Sequence, residues 1–399
     1  MKLLGITHFT LTSALGRGRA AHWRALESAT TGLAPARFDG SILQSHLGEV
    51  PGLEQALPDD LIAYECRNHR LAWLALQQDG FVAAAGQLRE RYGAGRVGVF
   101  MGTSTAGIHS TELAYRARAA PDTALAASFS YRHTQSLFSV AGVVAQALQL
   151  AGPAITISTA CSSSAKVFPA AYRSIQLGLC DAAVVGGVDS LCLTTLHGFN
   201  SLQLISDDVC RPADAQRRGI SIGEAAGFAI VETAAASGRA GWSLLGYGES
   251  GDAHHMSSPH PEGEGAAAAM RAALLSAALR PDDIDYVNLH GTGTRANDAA
   301  EDRGVCAVLG TSTPCSSTKG WTGHTLGAAG IVETGLSLLC LENGFLPRSL
   351  NTRERDPALG ANLLMESRRA PLRHVMSNSF GFGGSNCVLV FGHGGDGSP

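Results

Sequence analysis

The sequence predicts an α/β protein in which buried strands alternate with helices. Alanine- and leucine-rich stretches at 265–279 and 330–344 have helical composition, and the second ends at Asn343-Gly344, a common helix stop. Between such stretches lie apolar runs that are typical of strands covered on both faces. These runs are residues 96–102, 154–159, 182–188, 227–232, 285–291 and 386–392.

The chain divides in outline into two similar halves, which we place at residues 1–240 and 241–399. Its 399 residues are enough for two or three units or for one large layered domain. The small and polar segment 233–243 could join the halves, which we expect to pack tightly. Glycine, proline and serine at 251–266 predict a surface loop, and the tail 392–399 is expected to fray.

Composition excludes several classes of protein. Hydrophobic residues make up 45% and charged residues 16% of the chain, which excludes intrinsic disorder. A formal charge of -4 argues against a nucleic-acid binder. No apolar run reaches the about 18 residues of a membrane span, and the N-terminal residues lack the pattern of a signal peptide. Nine cysteines without a CxxC pair favour a reducing, cytoplasmic setting over disulfides or structural zinc.

The most informative segment is 155–164, where a β-branched run leads directly into Cys161 and then into small residues. A cysteine at a strand-to-helix corner lies where helix N–H groups point. Their field favours the thiolate and is expected to lower the pKa of the thiol. A buried structural cysteine is the alternative if the segment is considered alone.

Three further segments carry polar or aromatic residues around glycine-rich turns. His290 opens a glycine- and threonine-rich turn, and Lys319 and His324 flank another turn before a helix. Phe380 and Phe382 alternate with glycines in a short, pliable loop. Each segment also has an ordinary structural interpretation when it is considered alone. His290 could be a hydrogen-bonded loop histidine, Lys319 a surface amine, and the Phe-Gly segment a simple strand bend.

Together and in this order, the segments resemble the ketosynthase family, the elongating β-ketoacyl-acyl-carrier-protein synthases. The strings Thr-Ala-Cys-Ser-Ser-Ser, His-Gly-Thr-Gly-Thr and Gly-His-Thr-Leu-Gly-Ala-Ala-Gly carry the resemblance, which covers about residues 95–392. It implies a thiolase-like fold, five-layered (αβαβα) and built from two similar halves. It also implies decarboxylative Claisen condensation of a malonyl-carrier protein with an acyl chain held on Cys161, giving a 3-oxoacyl-carrier protein.

The resemblance assigns roles to individual residues. His290 and His324 would donate hydrogen bonds to the enolate formed on decarboxylation, since donors placed at developing charge are the largest catalytic contribution. The backbone N–H groups of Cys161 and Phe382 would form the oxyanion hole, and Lys319 and Glu301 would support the site. The gate over the cysteine would consist of Phe380, Gly381, Phe382 and Gly383.

The resemblance further implies partners and, in some relatives, an ion. The partners would be acyl- and malonyl-loaded carrier proteins and a second subunit, either identical or a related ketosynthase-like chain. No cofactor is expected. Asn288, Glu333 and Ser377 match positions that form a structural Na⁺ or K⁺ site in some relatives.

Four departures from the family pattern stand out. Arg218-Gly219-Ile220 replaces a usual Asp-Gly-Phe, and Arg295 replaces a common proline. Pro169 is expected to kink or shorten the helix after Cys161. Asp59 and Asp60 stand near a position where relatives often have basic residues for carrier docking.

Three other classes compete with this interpretation. A thiolase would use a second cysteine in a C-terminal Cys-Gly motif, whereas Cys387 lies in no such string. Starter-type ketosynthases pair one histidine with an asparagine, and His324 argues against them. A non-catalytic partner resembling a chain length factor typically lacks the nucleophile. Fatty-acid, polyketide and aryl-polyene chain elongation all stay open as pathways.

Overall fold

The computed structural model describes residues 1–41, 43–233, 236 and 241–394. We label its ten principal strands in chain order: β1 (Leu4–Ser13), β2 (Val97–Gly102), β3 (Ala154–Ile157), β4 (Ala182–Asp189), β5 (Ala225–Thr233), β6 (Trp242–Gly251), β7 (Tyr286–Leu289), β8 (Pro314–Ser317), β9 (His374–Gly381) and β10 (Ser385–His393). Two-residue strands lie at Gly16–Arg17, Ala34–Pro35, His46–Leu47, Phe345–Leu346, Asn362–Leu363 and Arg368–Arg369.

Helices connect these strands and cover them. They are α1 (Gly18–Ser28), α2 (Arg67–Leu76), α3 (Phe81–Tyr92), α4 (Ile108–Arg116), α5 (Phe138–Leu148), α6 (Ser163–Gln176), α7 (Leu193–Ser201), α8 (Glu264–Ala277), α9 (Arg295–Leu309), α10 (Lys319–Thr322) and α11 (Ala329–Asn343). Over the described residues, none of the helices is both long enough and apolar enough to cross a membrane.

The two halves of the chain repeat one sheet topology. The first half has the strand order β3-β2-β4-β5-β1, and the second has β8-β7-β9-β10-β6. In each half the first three strands are parallel and the last two are antiparallel to their neighbours. An antiparallel pairing of Leu4–Ile6 with 242–244 joins the halves along β1 and β6.

Helices separate and cover the two half-sheets, which produces five layers. The long helices α6 and α11 pack against each other and against strands of both halves. Helices α2, α3 and α5 cover the outer face of the first half, and α8 and α9 cover the second. The predicted five-layered αβαβα arrangement is therefore present. It places the ends of β3 and β7, which precede Cys161 and His290, near each other.

The predicted strands and helices are confirmed to within a few residues at their ends. The loop predicted at 251–266 lies between β6 and α8. The proposed boundary at residue 240 and most of the proposed joining segment lie outside the described residues, as do residues 395–399 of the tail.

Pro169 was expected to kink or shorten the helix after Cys161, and the expectation of a shorter helix is wrong. Helix α6 continues through Pro169 to Gln176. Proline removes one backbone donor, but its ring is buried here together with Val167, Phe168 and Ala171. A proline inside a helix costs about 3 kcal/mol, and burial of several large apolar side chains at about 1.5–3 kcal/mol each offsets that cost.

Candidate active site

Cys161 lies at the predicted strand-to-helix corner, between β3 and α6. The residue before it, Ala160, has a φ of 51°, a left-handed conformation that is uncommon outside glycine. Ser163 fixes this turn, because its Oγ accepts a hydrogen bond from the Thr159 N–H at 2.9 Å and donates one to the Ala160 carbonyl at 2.5 Å. The turn holds Cys161 in the wall of a pocket with 5% of the residue exposed.

Two histidines from the second half face this sulfur. His324, which follows α10, places its Nε2 atom 2.9 Å from the Cys161 Sγ atom. His290, which follows β7, has its ring centroid 5.3 Å from that of His324, with the ring planes at 85°. Cys161, His290 and His324, which come from three separate segments of the sequence, thus form one buried cluster.

Cys161 is a neutral thiol in this closed pocket. Burial raises its pKa to about 12, because little solvent is present to stabilise a thiolate. The Lys319 charge and the backbone N–H of Phe382 act in the opposite direction but are outweighed. The expectation of a lowered pKa for this thiol is therefore wrong, because burial outweighs the groups that lower the pKa.

Both imidazoles are neutral hydrogen-bond donors. Burial, assisted by the Lys319 charge, holds the pKa values of His290 and His324 well below the usual histidine range. Lys319 Nζ lies 3.2 Å from His290 Nδ1, so that nitrogen accepts and Nε2 carries the proton. His324 Nδ1 is buried without a hydrogen-bond partner among the described residues, so its ring proton belongs on Nε2, the atom that faces Cys161.

Lys319 is the buried cation of the site. Its side chain is 1% exposed and donates hydrogen bonds to the Glu333 carboxylate and to the His290 carbonyl. Burial raises the pKa of Glu333 to about 7, and the lysine acts against that rise. The ion pair fixes Lys319 against His290, and hence fixes the tautomer of that ring.

Glu301 positions the backbone next to His290 instead of contacting the lysine. Its two carboxylate oxygens accept hydrogen bonds from the N–H groups of His290 and Gly291, each at 2.7 Å. Asn378 Nδ2 donates to the same carboxylate at 3.0 Å. The family resemblance assigned a supporting role to Glu301 and an ion-binding role to Glu333. In the structure it is Glu333, and not Glu301, that forms the ion pair with Lys319.

The Phe-Gly loop closes the pocket over the cysteine. The backbone N–H of Phe382 faces the Cys161 sulfur and acts to lower the pKa of that thiol. The Phe382 ring lies 5.4 Å from the Phe199 ring, and Phe380 packs edge-on against His290 at 6.0 Å. The predicted gate and nucleophile are therefore in contact.

The pocket is walled by residues of both halves. Ile220, at the position where relatives usually have phenylalanine, is one of its lining residues. The wall also includes Ser257, Ser258 and Pro259, from the loop between β6 and α8. The principal lining residues are Cys161, Phe199, Leu204, Ile220, Ser257, Ser258, Pro259, His290, Thr292, Thr294, Asn297, His324, Phe380 and Phe382.

The two glycines of the gate have different physical roles, which a pair of substitutions should separate. Gly381 has an ordinary φ of -102°, but a Cβ atom there would lie 2.7 Å from the Thr159 carbonyl oxygen. Gly383 has open space around it but a φ of 78°, where a side chain costs about 1–2 kcal/mol. We expect Gly381→Val to displace the gate from the nucleophile and slow acylation of Cys161 about a hundredfold.

Intact-protein mass spectrometry after mixing with an acyl-carrier protein would measure this acylation rate. Gly383→Ala should keep the steric fit and change the rate less than Gly381→Val does. Gly86→Ala, in the open surface of α3, is a matched control that should leave acylation unchanged. An unchanged rate in Gly381→Val with an unchanged melting temperature would contradict the steric role.

Of the three predicted cation residues, Glu333 lies next to the lysine. Asn288 on β7 and Ser377 on β9 are register partners, and Glu333 comes from α11. Glu333 Oε2 is buried and has no hydrogen-bond partner among the described residues. A buried carboxylate oxygen without a partner is a ligand type that hard cations prefer.

A zinc site is also conceivable at the cluster of Cys161, His290 and His324. Sulfur and imidazole nitrogen are zinc ligands, and the candidate ligand atoms of these residues lie within 4.8 Å of one another. The buried Lys319 ammonium next to His290 opposes a divalent cation by direct charge repulsion. The cluster of one thiol and two imidazoles is therefore better suited to covalent chemistry at the sulfur atom than to zinc binding.

Asp189 is a structural residue of the site that sequence reasoning missed. At the end of β4, its carboxylate accepts hydrogen bonds from the N–H groups of Ser104 at 2.9 Å, Thr105 at 2.9 Å and Gly327 at 2.5 Å. These bonds tie the loop after β2 to the turn that follows His324. A carboxylate directly after a predicted strand was the available sequence signal.

Cys387 does not provide a second nucleophile. It lies in β10 with its side chain fully buried in the central core, among Phe168, Leu389 and Phe391. It is absent from the pocket wall that carries Cys161. The two-cysteine site expected of a thiolase is therefore not formed by these residues.

Comparison with known proteins agrees with this geometry. Residues 66–237 match the family model "Beta-ketoacyl synthase, N-terminal domain", and residues 243–353 match the corresponding C-terminal domain. The chain is 31% identical to 3-oxoacyl-[acyl-carrier-protein] synthase 2 of Coxiella burnetii, over 96% of this chain and 97% of that one. It is 32% identical to nodulation protein E of Rhizobium leguminosarum bv. trifolii, over 94% and 96% of the two chains.

A solved structure extends the likeness to three dimensions. A ketosynthase (ApeO) in complex with its chain length factor (ApeC), from Xenorhabdus doucetiae, has a TM-score of 0.88 and 38% identity, covering 98% of each chain. With a buried cysteine, two histidines and a Phe-Gly gate on a thiolase-like fold, the chain belongs to the β-ketoacyl synthase family and is a condensing enzyme of the 3-oxoacyl-[acyl-carrier-protein] synthase type.

Proposed function

We propose that Cys161 carries the acyl chain and that His290 and His324 stabilise the enolate in a decarboxylative Claisen condensation. The supporting observation is the placement of one thiol and two Nε2–H donors in a single closed pocket. Neutral donors suit this reaction, because decarboxylation generates an enolate oxygen and needs no strong base.

The first half-reaction is transfer of an acyl group between two sulfur atoms. The Cys161 sulfur attacks the carbonyl carbon of an acyl-carrier thioester, and the bond from that carbon to the carrier sulfur breaks. The thiol proton of Cys161 ends on the departing carrier thiol. His324 Nε2–H, 2.9 Å from the sulfur, stabilises the thiolate character that develops. The N–H groups of Cys161 and Phe382 bind the carbonyl oxygen as it gains charge.

The second half-reaction forms the carbon–carbon bond. Malonyl-carrier protein loses carbon dioxide, and the electron pair of the broken bond forms an enolate whose oxygen is held by His290 and His324. The enolate carbon attacks the acyl carbonyl on Cys161, and the carbon–sulfur bond breaks. Cys161 then takes a proton from water, which leaves a 3-oxoacyl-carrier protein.

Lys319 and the carboxylates around it act by positioning. The lysine keeps His290 in its Nε2–H tautomer, and Glu301 holds the backbone of that residue. A Na⁺ or K⁺ ion bound by Asn288, Glu333 and Ser377 would add structural positive charge there. The unpartnered Glu333 Oε2 atom supports this assignment.

We further propose that the enzyme works as a dimer through β3. This strand ends its half-sheet, and Ala154 and Ile155 are exposed at that edge. An apolar edge strand is a template for pairing with another chain. The second subunit is a copy of this chain or a related ketosynthase-like chain, as in the Xenorhabdus doucetiae complex. We place the dimer in the cytoplasm, where the nine unpaired cysteines would stay reduced.

Reconstitution with purified carrier proteins tests both proposals. The enzyme, supplied with acyl- and malonyl-carrier proteins, should form a 3-oxoacyl-carrier protein that intact mass detects, and its chain length identifies a fatty-acid, polyketide or aryl-polyene pathway. Sedimentation should show a dimer, since obligate interfaces bury about 2,000 Å² or more. A fully active monomer at micromolar concentration would refute the dimer. Condensation without acylation of Cys161 would refute the role of the cysteine.

A further inference from the structure

A second group of metal-ligand side chains lies away from the catalytic cysteine. Asp39, in the turn at Phe38–Gly40, and His109 and Glu112 of α4 each offer one ligand atom, and these atoms lie within 4.8 Å of one another. We call these three residues the α4 cluster. Over the described ranges of the chain, only this cluster and the Cys161 site bring three such residues so close together. No member of the α4 cluster lines the Cys161 pocket.

Helix geometry and packing bring the three side chains to one point. His109 and Glu112 are three residues apart on α4, a spacing that makes their side chains neighbours on the helix surface. The Phe38 ring lies 5.2 Å from the His109 ring and so packs the imidazole beside Asp39. The side chains of His109 and Asp39 are only 16% and 23% exposed. One nitrogen and two carboxylates are therefore held together in a half-buried place.

Glu112 is fixed by the first turn of α7. The N–H of Leu193 donates to its Oε2 atom at 3.1 Å, and the N–H and hydroxyl of Thr194 donate to its Oε1 atom at 2.6 Å each. A carboxylate has about four lone-pair sites, two on each oxygen, so Oε2 keeps one of its two for a further ligand. This carboxylate therefore needs little ordering to bind an ion.

The imidazole nitrogen of the cluster has no partner of its own. His109 Nε2 is buried and makes no hydrogen bond to the described residues, although it lies 3.4 Å from Asp39 Oδ2. Buried polar atoms are nearly always satisfied, so an orphan of this kind calls for a ligand. A cation bound between the carboxylates accepts the lone pair of this nitrogen.

One cation already contacts the cluster from outside. Arg116, in the last turn of α4, donates a hydrogen bond to Asp39, but its side chain is 47% exposed. Exposed ion pairs contribute only about 0–1 kcal/mol, so the guanidinium can turn into solvent at little cost. With Arg116 displaced, Asp39 and Glu112 supply two negative charges, which match the charge of one divalent cation.

We propose that Asp39, His109 and Glu112 bind a divalent transition-metal ion of the Zn²⁺ type, with water completing its coordination. One imidazole and two carboxylates are ligands that such ions accept. The ion has a structural role, because it joins the turn at residue 39 and α4 to the start of α7, which Glu112 already caps. Helix α7 carries Phe199, which lines the Cys161 pocket and packs against Phe382 of the gate.

Zn²⁺ binding to the metal-free protein is the test. The Cys161→Ala variant is the parent here, because it removes the thiol of the competing catalytic cluster. Titration calorimetry should detect a Zn²⁺ site in this parent, and Zn²⁺ should raise its melting temperature, since an ion that binds only the folded state stabilises it. Adding Asp39→Asn or His109→Gln should weaken binding at least about tenfold, the loss that even residues behind metal ligands cause.

Arg116→Gln distinguishes metal binding from a purely structural role of the cluster. Removal of the competing guanidinium should tighten Zn²⁺ binding about two- to fivefold, which corresponds to the loss of one exposed ion pair. Asp39 and His109 are partly exposed, so their variants should fold, and melting temperatures without Zn²⁺ verify this. Weaker binding in Arg116→Gln would contradict the proposed competition and overturn the site as described.

His260→Gln is the matched control for a surface histidine. His260 lies beside His254 and Glu264, but their ligand atoms do not form a third close trio in the described part of the chain. This variant should bind Zn²⁺ as the parent does. The proposal is overturned if the parent binds no Zn²⁺, if Asp39→Asn and His109→Gln bind it unchanged, or if His260→Gln is the variant that loses it.

Discussion

Cys161→Ala is expected to abolish condensation while part of the decarboxylation of malonyl-carrier protein survives. Without sulfur at this position the acyl chain has no covalent attachment, and loss of a nucleophile of this kind lowers turnover by at least about 10⁴-fold. His290 and His324 keep their Lys319 contact and their place in the pocket, so the donors for the enolate stay in position. Acetyl-carrier protein should therefore accumulate in place of the condensation product.

Two measurements separate these steps. Release of labelled carbon dioxide reports decarboxylation, and the intact mass of the enzyme reports acylation. Cys387→Ala is the matched control, because that thiol is equally buried but lies in the core outside the pocket, and the variant should condense normally. Normal condensation by Cys161→Ala would contradict the assignment of Cys161 as the nucleophile. Loss of condensation in Cys387→Ala alone would instead support a thiolase-like mechanism.

His324→Ala should have the opposite pattern. Removal of one donor at a developing oxyanion costs about 2.7–4 kcal/mol, or roughly a hundred- to a thousandfold in the rate of carbon dioxide release. Acylation of Cys161 should survive in part, because the backbone N–H of Phe382 still faces the sulfur. The enzyme should therefore accumulate as the acyl form when malonyl-carrier protein is present.

His69→Ala controls for the loss of a buried imidazole. His69 is as buried as His324, and burial likewise lowers its pKa, to about 4, but its ring bonds to the Tyr64 carbonyl and to Ser139 outside the pocket. This variant should lose stability without a selective loss of decarboxylation. Normal carbon dioxide release by His324→Ala would contradict the donor role and with it the two-histidine mechanism.

Much of the fold was predictable because its signals are local. Apolar runs and helix stops depend on neighbouring residues, so β2, β4 and α11 begin and end within a few positions of the predicted ranges. Pro169 shows the limit of a local rule, since burial of the surrounding apolar side chains keeps α6 continuous.

The sequence by itself determined the class of enzyme, and it predicted the central groups of the site. The strings around Cys161, His290 and His324 are short, and their order along the chain is specific to this family. That order predicted which residues would meet in one pocket, although 163 positions separate Cys161 from His324. The Phe-Gly loop was likewise assigned as the gate, and Phe382 lies against the cysteine.

Only the tertiary structure decided the protonation and the partners of these groups. The pKa of Cys161 is raised because the closed pocket excludes water, and no local pattern measures that exclusion. Glu333 rather than Glu301 pairs with Lys319 because α11 packs its carboxylate against that amine. Arg67 and Arg218 are both arginines, yet a buried carboxylate neutralises the first and solvent surrounds the second. Desolvation and charge pairing act through space, so they become defined only when distant segments are packed together.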